Sequence, residues 1–156
     1  MITLFKSPVL ADWIDYNGHM NDAYYVIAFS KAIDAFMLLI GIDEKFRLEN
    51  HSSIYTLQSM VHYIREVAER EPIVIKGQLL ESNGKKIRLF MTMYHEESNV
   101  ELATLETLLL HVNTQLHKSM NFLPAIQSVI DSMQVSHNTL PNPALAGNAI
   151  RLQRVS

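Results

Sequence analysis

Three side chains able to do chemistry stand at alternate positions of one short loop: Asp15, Asn17 and His19, with Gly18 between the last two. Small polar residues ahead of a helix commonly act as turns and caps, and Asn21, where an apolar run begins, reads as an N-cap. Asp15 stands too far upstream to cap that run. A carboxylate at neutral pH acts as a general base or a nucleophile. Backbone N–H groups from Gly18 into the first turn of the helix can receive an oxyanion. An acid facing amide donors at a helix N-terminus is what acyl-transfer hydrolysis requires.

The helix behind the loop positions it. Over residues 22–40, at 100° per residue, Ser30, Lys31 and Asp34 share one narrow stripe and the rest is apolar. A helix of about nineteen residues is roughly 28 Å long, and one so apolar must be wrapped by the rest of the chain. Asp22 suits the positive end of its macrodipole, and Gly41 is placed to end it.

Around this helix the sequence predicts strands. Residues 3–11, interrupted by Pro8, read as an edge strand, and 43–52 as a polar connection. Residues 53–66 alternate, with Tyr55, Leu57, Val61 and Tyr63 on one face and Thr56, Gln58, Met60, His62 and Glu66 on the other. Segments 72–81 and 86–95 are strands joined by Ser82-Asn83-Gly84-Lys85, whose Asn-Gly pair predicts a type I′ turn with positive φ at both positions. A second turn, 96–99, leads into a long strand over 100–113. Residues 121–133 form an amphipathic helix with Phe122, Ile126, Val129, Ile130 and Met133 on one side and Pro124 in the first turn. The expected class is α+β: a curved antiparallel sheet of about four strands wrapped around a long central helix. One domain spans 1–133, and 134–156 is an extended tail packed on or near it, ending in Arg151 and Arg154.

Composition narrows the function. The chain has 156 residues, 48% hydrophobic and 19% charged, which describes an ordinary single-domain globule. A net charge of −3 with no long basic block gives nucleic acid no electrostatic footprint. Without cysteine there is no disulfide, thiolate nucleophile or cysteine-bound zinc. His51, His95, His117 and His137 read as solvated, His111 as a core histidine, and no spacing suits a metal, so none is expected. The N-terminus lacks a signal-peptide pattern, and the longest pure apolar run in the helix, 35–40, is too short to span a bilayer. The expectation is a cytoplasmic protein with no membrane partner.

The loop resembles the active-site motif of hotdog acyl-CoA thioesterases, in which an aspartate precedes a glycine by three positions. It is also similar to the Asp-x-Asn-x-His pattern of hotdog acyl-carrier thioesterases, reproduced by Asp15, Asn17 and His19. Hydratases of this fold carry one more residue before the histidine. Over more of the chain, Trp13-x-Asp15-Tyr16-Asn17-Gly18-His19, Asp22-Ala23-x-Tyr25, Tyr55-Thr56-Leu57, Tyr63-x-x-Glu66-Val67 and the 108–112 run resemble the betainyl-CoA thioesterases of carnitine breakdown.

The resemblance implies the hotdog fold, Asp15 as catalytic carboxylate, and Asn17 and His19 as positioning and polarising groups. It implies an acyl-CoA substrate, betainyl-CoA giving glycine betaine and CoA, with no cofactor because coenzyme A is part of the substrate. A homodimer is expected through edge pairing of the sheet, possible extension to a tetramer being left open. In that family an acid follows the Thr-Leu pair and a histidine comes two further on; here Gln58 and Met60 stand there.

Aromatic faces attract a quaternary ammonium, and Trp13, Tyr16, Tyr24, Tyr25 and Tyr63 cluster in sequence near the loop, although packing around a buried helix explains any one of them. The substrate-binding candidates are Trp13, Tyr16, Gly18, Tyr25, Gln58 and Glu66, the last equally readable as a surface charge. For the CoA phosphates the candidates are Lys85, Lys86 and Arg88, or Arg151 and Arg154. The alternatives are a thioesterase for another short-chain or aromatic acyl-CoA, and a non-catalytic acyl-CoA-binding hotdog protein.

Overall fold

The computed structural model describes residues 1–152, so Arg154 lies outside the described residues. Along the chain come β1 (Ile2–Pro8), α1 (Asp22–Leu39), α2 (Glu44–Asn50), β2 (Ser52–Tyr63), β3 (Pro72–Ser82), β4 (Lys86–His95), β5 (Glu101–Asn113), β6 (Lys118–Ser119) and α3 (Pro124–His137). The strands form one antiparallel sheet in the order β1-β3-β4-β5-β2, with the short β6 on β5.

Alternation decides which side of the sheet meets α1. Ile73, Ile75 and Leu79 of β3 share the core with Ile87, Leu89, Met91 and Met93 of β4 and with Ala103, Leu105 and Leu109 of β5. Against them α1 lays Ala28, Phe29, Ala32 and Phe36, all 0–1% exposed. The helix starts at the expected cap: Asn21 Oδ1 accepts the Ala23 N–H at 3.0 Å. It stops where Gly41 takes φ +94°, a left-handed position that a Cβ would strain.

Five details differ from the sequence reading. First, the sheet covers only one side of α1, and Val26, Ile27, Leu38 and Leu39 remain 41–59% exposed. The apolar periodicity reports surface to be covered but not by what. Second, the register of β2 shifts between Thr56 and Gln58. Ile54 and Val61, of opposite parity, therefore both pack against the core. Third, the hairpin turn is not type I′. Gly84 has φ +81°, but Asn83 is not left-handed; its side-chain oxygen accepts the N–H groups of Lys85 and Lys86 instead.

Fourth, the supposed connection contains α2, capped by Asp43 accepting from Phe46 N–H at 2.7 Å. Its seven residues are too few for a periodic signal. Fifth, α3 runs to His137, so 134–137 is helix rather than extended tail. Pro124 takes the first position, where its missing N–H costs nothing, and no breaker intervenes before Pro141. Beyond α3 the chain crosses the outer face of the sheet, held by Gln78 Nε2 donating to Pro141 O and by Gly147 N–H donating to Glu106 at 2.6 Å.

Candidate active site

The loop ahead of α1 is a small hairpin. Ile14 and Met20 form an antiparallel bridge, Asp15 N–H donates to His19 O at 3.1 Å, and Gly18 N–H donates to Asp15 O at 3.0 Å. Gly18 takes φ +79° with open space around its Cβ position, so its glycine is required by conformation and not by crowding. The hairpin is tied to its surroundings by Met20 N–H to Val67 O and Asn21 N–H to Trp13 O, both 2.9 Å.

Asp15 is half-buried, and both carboxylate oxygens have a donor. Oδ1 accepts the Asn17 N–H at 2.8 Å, and Oδ2 accepts from Asn21 Nδ2 at 3.3 Å. Each oxygen retains further lone-pair capacity toward a water or a carbonyl carbon. His19 is also partly covered, its Nδ1 3.4 Å from Glu66 Oε2. Glu66 lies beyond the end of β2, in a segment held to the loop by Met20 N–H donating to Val67 O. The structure thus gathers Asp15, His19, Asn21 and Glu66; Asn17 contributes its backbone N–H, and its side chain is exposed.

Most amides around the loop are committed: Gly18, Met20 and Asn21 to backbone carbonyls, Ala23 to the Asn21 side chain. Among the described residues, the N–H groups of Tyr16, His19 and Asp22 have no protein acceptor. Those of His19 and Asp22, nearest the start of α1, are the ones available to an oxyanion at this helix end.

The aromatic candidates do not form a cage within one chain. Trp13 is buried and stacks on Tyr24, with centroids 5.9 Å apart. Tyr25 is also buried: its ring meets Tyr63 edge-on and its hydroxyl donates to Arg65 O at 3.1 Å. Burial, together with the nearby Glu66 charge, pushes its pKa up to about 12. Tyr16, by contrast, is 97% exposed. Gln58 is exposed on the outer face of the sheet, beside a cavity shared with Arg88, Glu106 and the 147–150 segment.

The basic candidates also divide. Lys85 and Lys86 are exposed at the Gly84 end of the β3–β4 hairpin, about 30 Å along the strands from the Pro72 end, where the loop sits. Arg88 is engaged, its Nε 2.5 Å from Glu106 and a terminal nitrogen 3.2 Å from Glu81, which hold its pKa above the ordinary arginine value. A cavity of about 330 Å³ lies between residues 60–64, at the end of β2 and just past it, and residues 145–151, with Arg151 on its wall. Asn21 is the residue that sequence reasoning underrated. It was legible as a cap, but its contact with a carboxylate six residues upstream depends on the hairpin closing.

Among the described residues, no group of three His, Asp or Glu side chains is arranged to hold a metal ion. No single helix among them is long and apolar enough to cross a membrane.

A curled antiparallel sheet laid against one long helix, with an acid and free amides at the helix mouth, is the hotdog arrangement of thioester-cleaving proteins. The chain belongs to the thioesterase-like superfamily, whose family model matches residues 9–130. Over 99% of its length it is 34% identical to the betainyl-CoA thioesterase of Pseudomonas aeruginosa, 98% of which is covered. It is likewise 34% identical to the L-carnitine dehydrogenase/betainyl-CoA thioesterase of Ruegeria pomeroyi, but spans only 30% of that longer protein. Among solved structures, a putative thioesterase of Pseudomonas putida is similar with TM-score 0.84 and 26% identity over 98% of this chain and 97% of that one. A Staphylococcus aureus protein in complex with CoA has TM-score 0.91 over 98% of both chains at 24% identity, a likeness of fold.

Proposed function

We propose that this protein is an acyl-CoA thioesterase that hydrolyses betainyl-CoA to glycine betaine and free CoA, as a step in carnitine catabolism. The observation that carries the reading is the Asp15 carboxylate, oriented by two donors at the mouth of α1, a few residues from uncommitted amides. Asp15 activates a water, or attacks the thioester carbonyl itself, while His19 and Asp22 N–H stabilise the oxyanion. His19, steadied by Glu66, polarises the acyl group. Tyr16, open to a ligand, and Glu66, whose carboxylate stays largely exposed beside His19, meet the trimethylammonium group, a task for which Gln58 brings no charge. Trp13 and Tyr25 act as packing beneath the loop. No cofactor is needed, since coenzyme A is part of the substrate, and in this reading the reaction is cytoplasmic.

The active form in this reading is a homodimer paired through β2. That strand is an edge of the sheet, and Tyr55, Leu57 and Tyr63 on it are 44–49% exposed. A two-fold axis pairs a strand with its own copy antiparallel. Ser52 lies near the Lys85 end of the sheet and Tyr63 near the start of α1. Antiparallel pairing therefore turns Lys85 and Lys86 of the partner subunit toward the Asp15 end, where the phosphates of CoA need cations. Gln58, near the middle of β2, falls close to the axis.

The test is CoA release from a panel of betainyl, short linear, branched and aromatic thioesters, with betainyl-CoA expected to show the highest kcat/KM. Preference for an aromatic or linear acyl group would move the substrate assignment. Tight binding with no hydrolysis of any member would make the chain a binding module. Asp15→Asn is expected to lower kcat by about 10²- to 10⁴-fold with an unchanged melting temperature, because the amide oxygen still accepts the Asn17 N–H. Near-full turnover in that variant would remove Asp15 from the mechanism. Single turnover in heavy-oxygen water separates the two roles, since only a nucleophilic Asp15 acquires label.

A further inference from the structure

We propose that Asn21 is a positioning residue for the reaction, orienting the Asp15 carboxylate as well as capping α1; this rests on Asp15 being the reacting acid. The cap itself is plain: Oδ1 accepts the Ala23 N–H at 3.0 Å. The other end of the same amide, Nδ2, donates to Asp15 Oδ2 at 3.3 Å. Among the strong N-cap side chains, serine, threonine, aspartate and asparagine, only asparagine carries N–H donors. Capping alone is satisfied by any of the four.

The backbone makes this amide a fixed reference. Asn21 N–H is bonded to Trp13 O at 2.9 Å, and its carbonyl receives the Tyr24 N–H at 3.0 Å. Its side chain is thereby held between the first turn of an 18-residue helix and the returning arm of the loop hairpin. Asp15 accepts one donor from within its own turn, the Asn17 N–H, which leaves rotation about that bond open. The second donor, from outside the turn, sets the plane of the carboxylate and hence where its remaining lone pairs point. The capped first turn of α1 thus aligns a loop carboxylate through one amide.

The experiment uses Asn21→Ser, which keeps a strong cap but whose hydroxyl is one bond too short to reach Asp15, and Asn21→Ala, which loses both functions. For Asn21→Ser we expect a melting temperature within about 2 °C of the parent protein. Its kcat should fall about 10- to 100-fold, as expected when a reacting group is misplaced, while KM stays within about twofold. Asn21→Ala lowers kcat and melting temperature together. In an Asp15→Asn background, Asn21→Ser should cost no further turnover.

Full kcat in Asn21→Ser, or an equal loss in the Asp15→Asn background, overturns the proposal. Crystals of Asn21→Ser supply a readout independent of activity: the Asp15 carboxylate should rotate or split between conformers, and a single unchanged orientation overturns the proposal as well. Should Asp15→Asn keep its turnover, the catalytic reading of Asp15 fails on its own evidence. The carboxylate orientation in Asn21→Ser still shows whether Asn21 holds it.

Discussion

Two histidines are buried as hydrogen-bond partners and held neutral. His111 turns Nδ1 to Met120 O and Nε2 to Ser52 Oγ at 2.6 Å, stacked on Phe122. In His137, Nδ1 accepts the Leu79 N–H at 2.8 Å, which requires that nitrogen to be unprotonated. Burial lowers both pKa values below the ordinary histidine value, and the N-terminal ammonium adds to the effect at His137. The unfolded chain therefore takes up these protons first as pH falls. Their contribution to stability is complete above the ordinary value of about 6.5 and drains away below it. Urea midpoints measured at pH 7.5 and 5.5 should show the loss, and His137→Gln should flatten the dependence; a flat profile in the parent protein would contradict it. His111 was legible as a core residue from its apolar neighbours. His137 was not, because it stands in a polar stretch, and its partner is a strand amide 58 residues away.

At the scale of elements, α1 and β2 each carry more apolar surface than the single chain covers. A helix that is apolar nearly all round, yet open at Val26, Ile27, Leu38 and Leu39, and an edge strand with Leu57 in its bulge both suit a second copy. Leu57→Lys puts a charge on the pairing edge without touching the core. On the proposed pairing through β2, we expect that variant to sediment as a monomer with native circular dichroism and to lose most thioesterase activity, since the partner's cations would go with the pairing. A parent protein that sediments as a monomer would instead remove the dimer. The strands and both long helices were readable from period and caps. The bulge in β2 was not, because one extra residue alters no local preference yet reverses the parity of everything after it.

At the scale of the whole molecule, a carboxylate latches the C-terminal segment to the sheet. Glu106, with 14% of its side chain exposed, accepts Arg88 on one oxygen and the Gly147 N–H on the other. Residues beyond α3 thereby roof the outer face, where Phe90, Thr92 and Tyr94 would otherwise be open. Glu106→Ala should destabilise the fold by about 1–3 kcal/mol, the cost of leaving charged and backbone donors without an acceptor. Limited proteolysis should then cut within 138–152 faster than in the parent protein; unchanged cleavage would show that apolar contacts alone hold the segment.

The sequence by itself determined the long strands, the two long helices, the caps of α1 and the acid–amide–imidazole spacing of the loop, because these depend on side-chain period and local hydrogen bonding. Only the tertiary structure decided which groups meet: Glu66 with His19, Asn21 with Asp15, and Arg88 with Glu106 rather than with a phosphate. It also removed Trp13 and Tyr25 from the surface and left Tyr16 on it. The reason is that a side chain's type fixes what it can bond, whereas its partner is set by how distant backbone segments pack, which no local preference records.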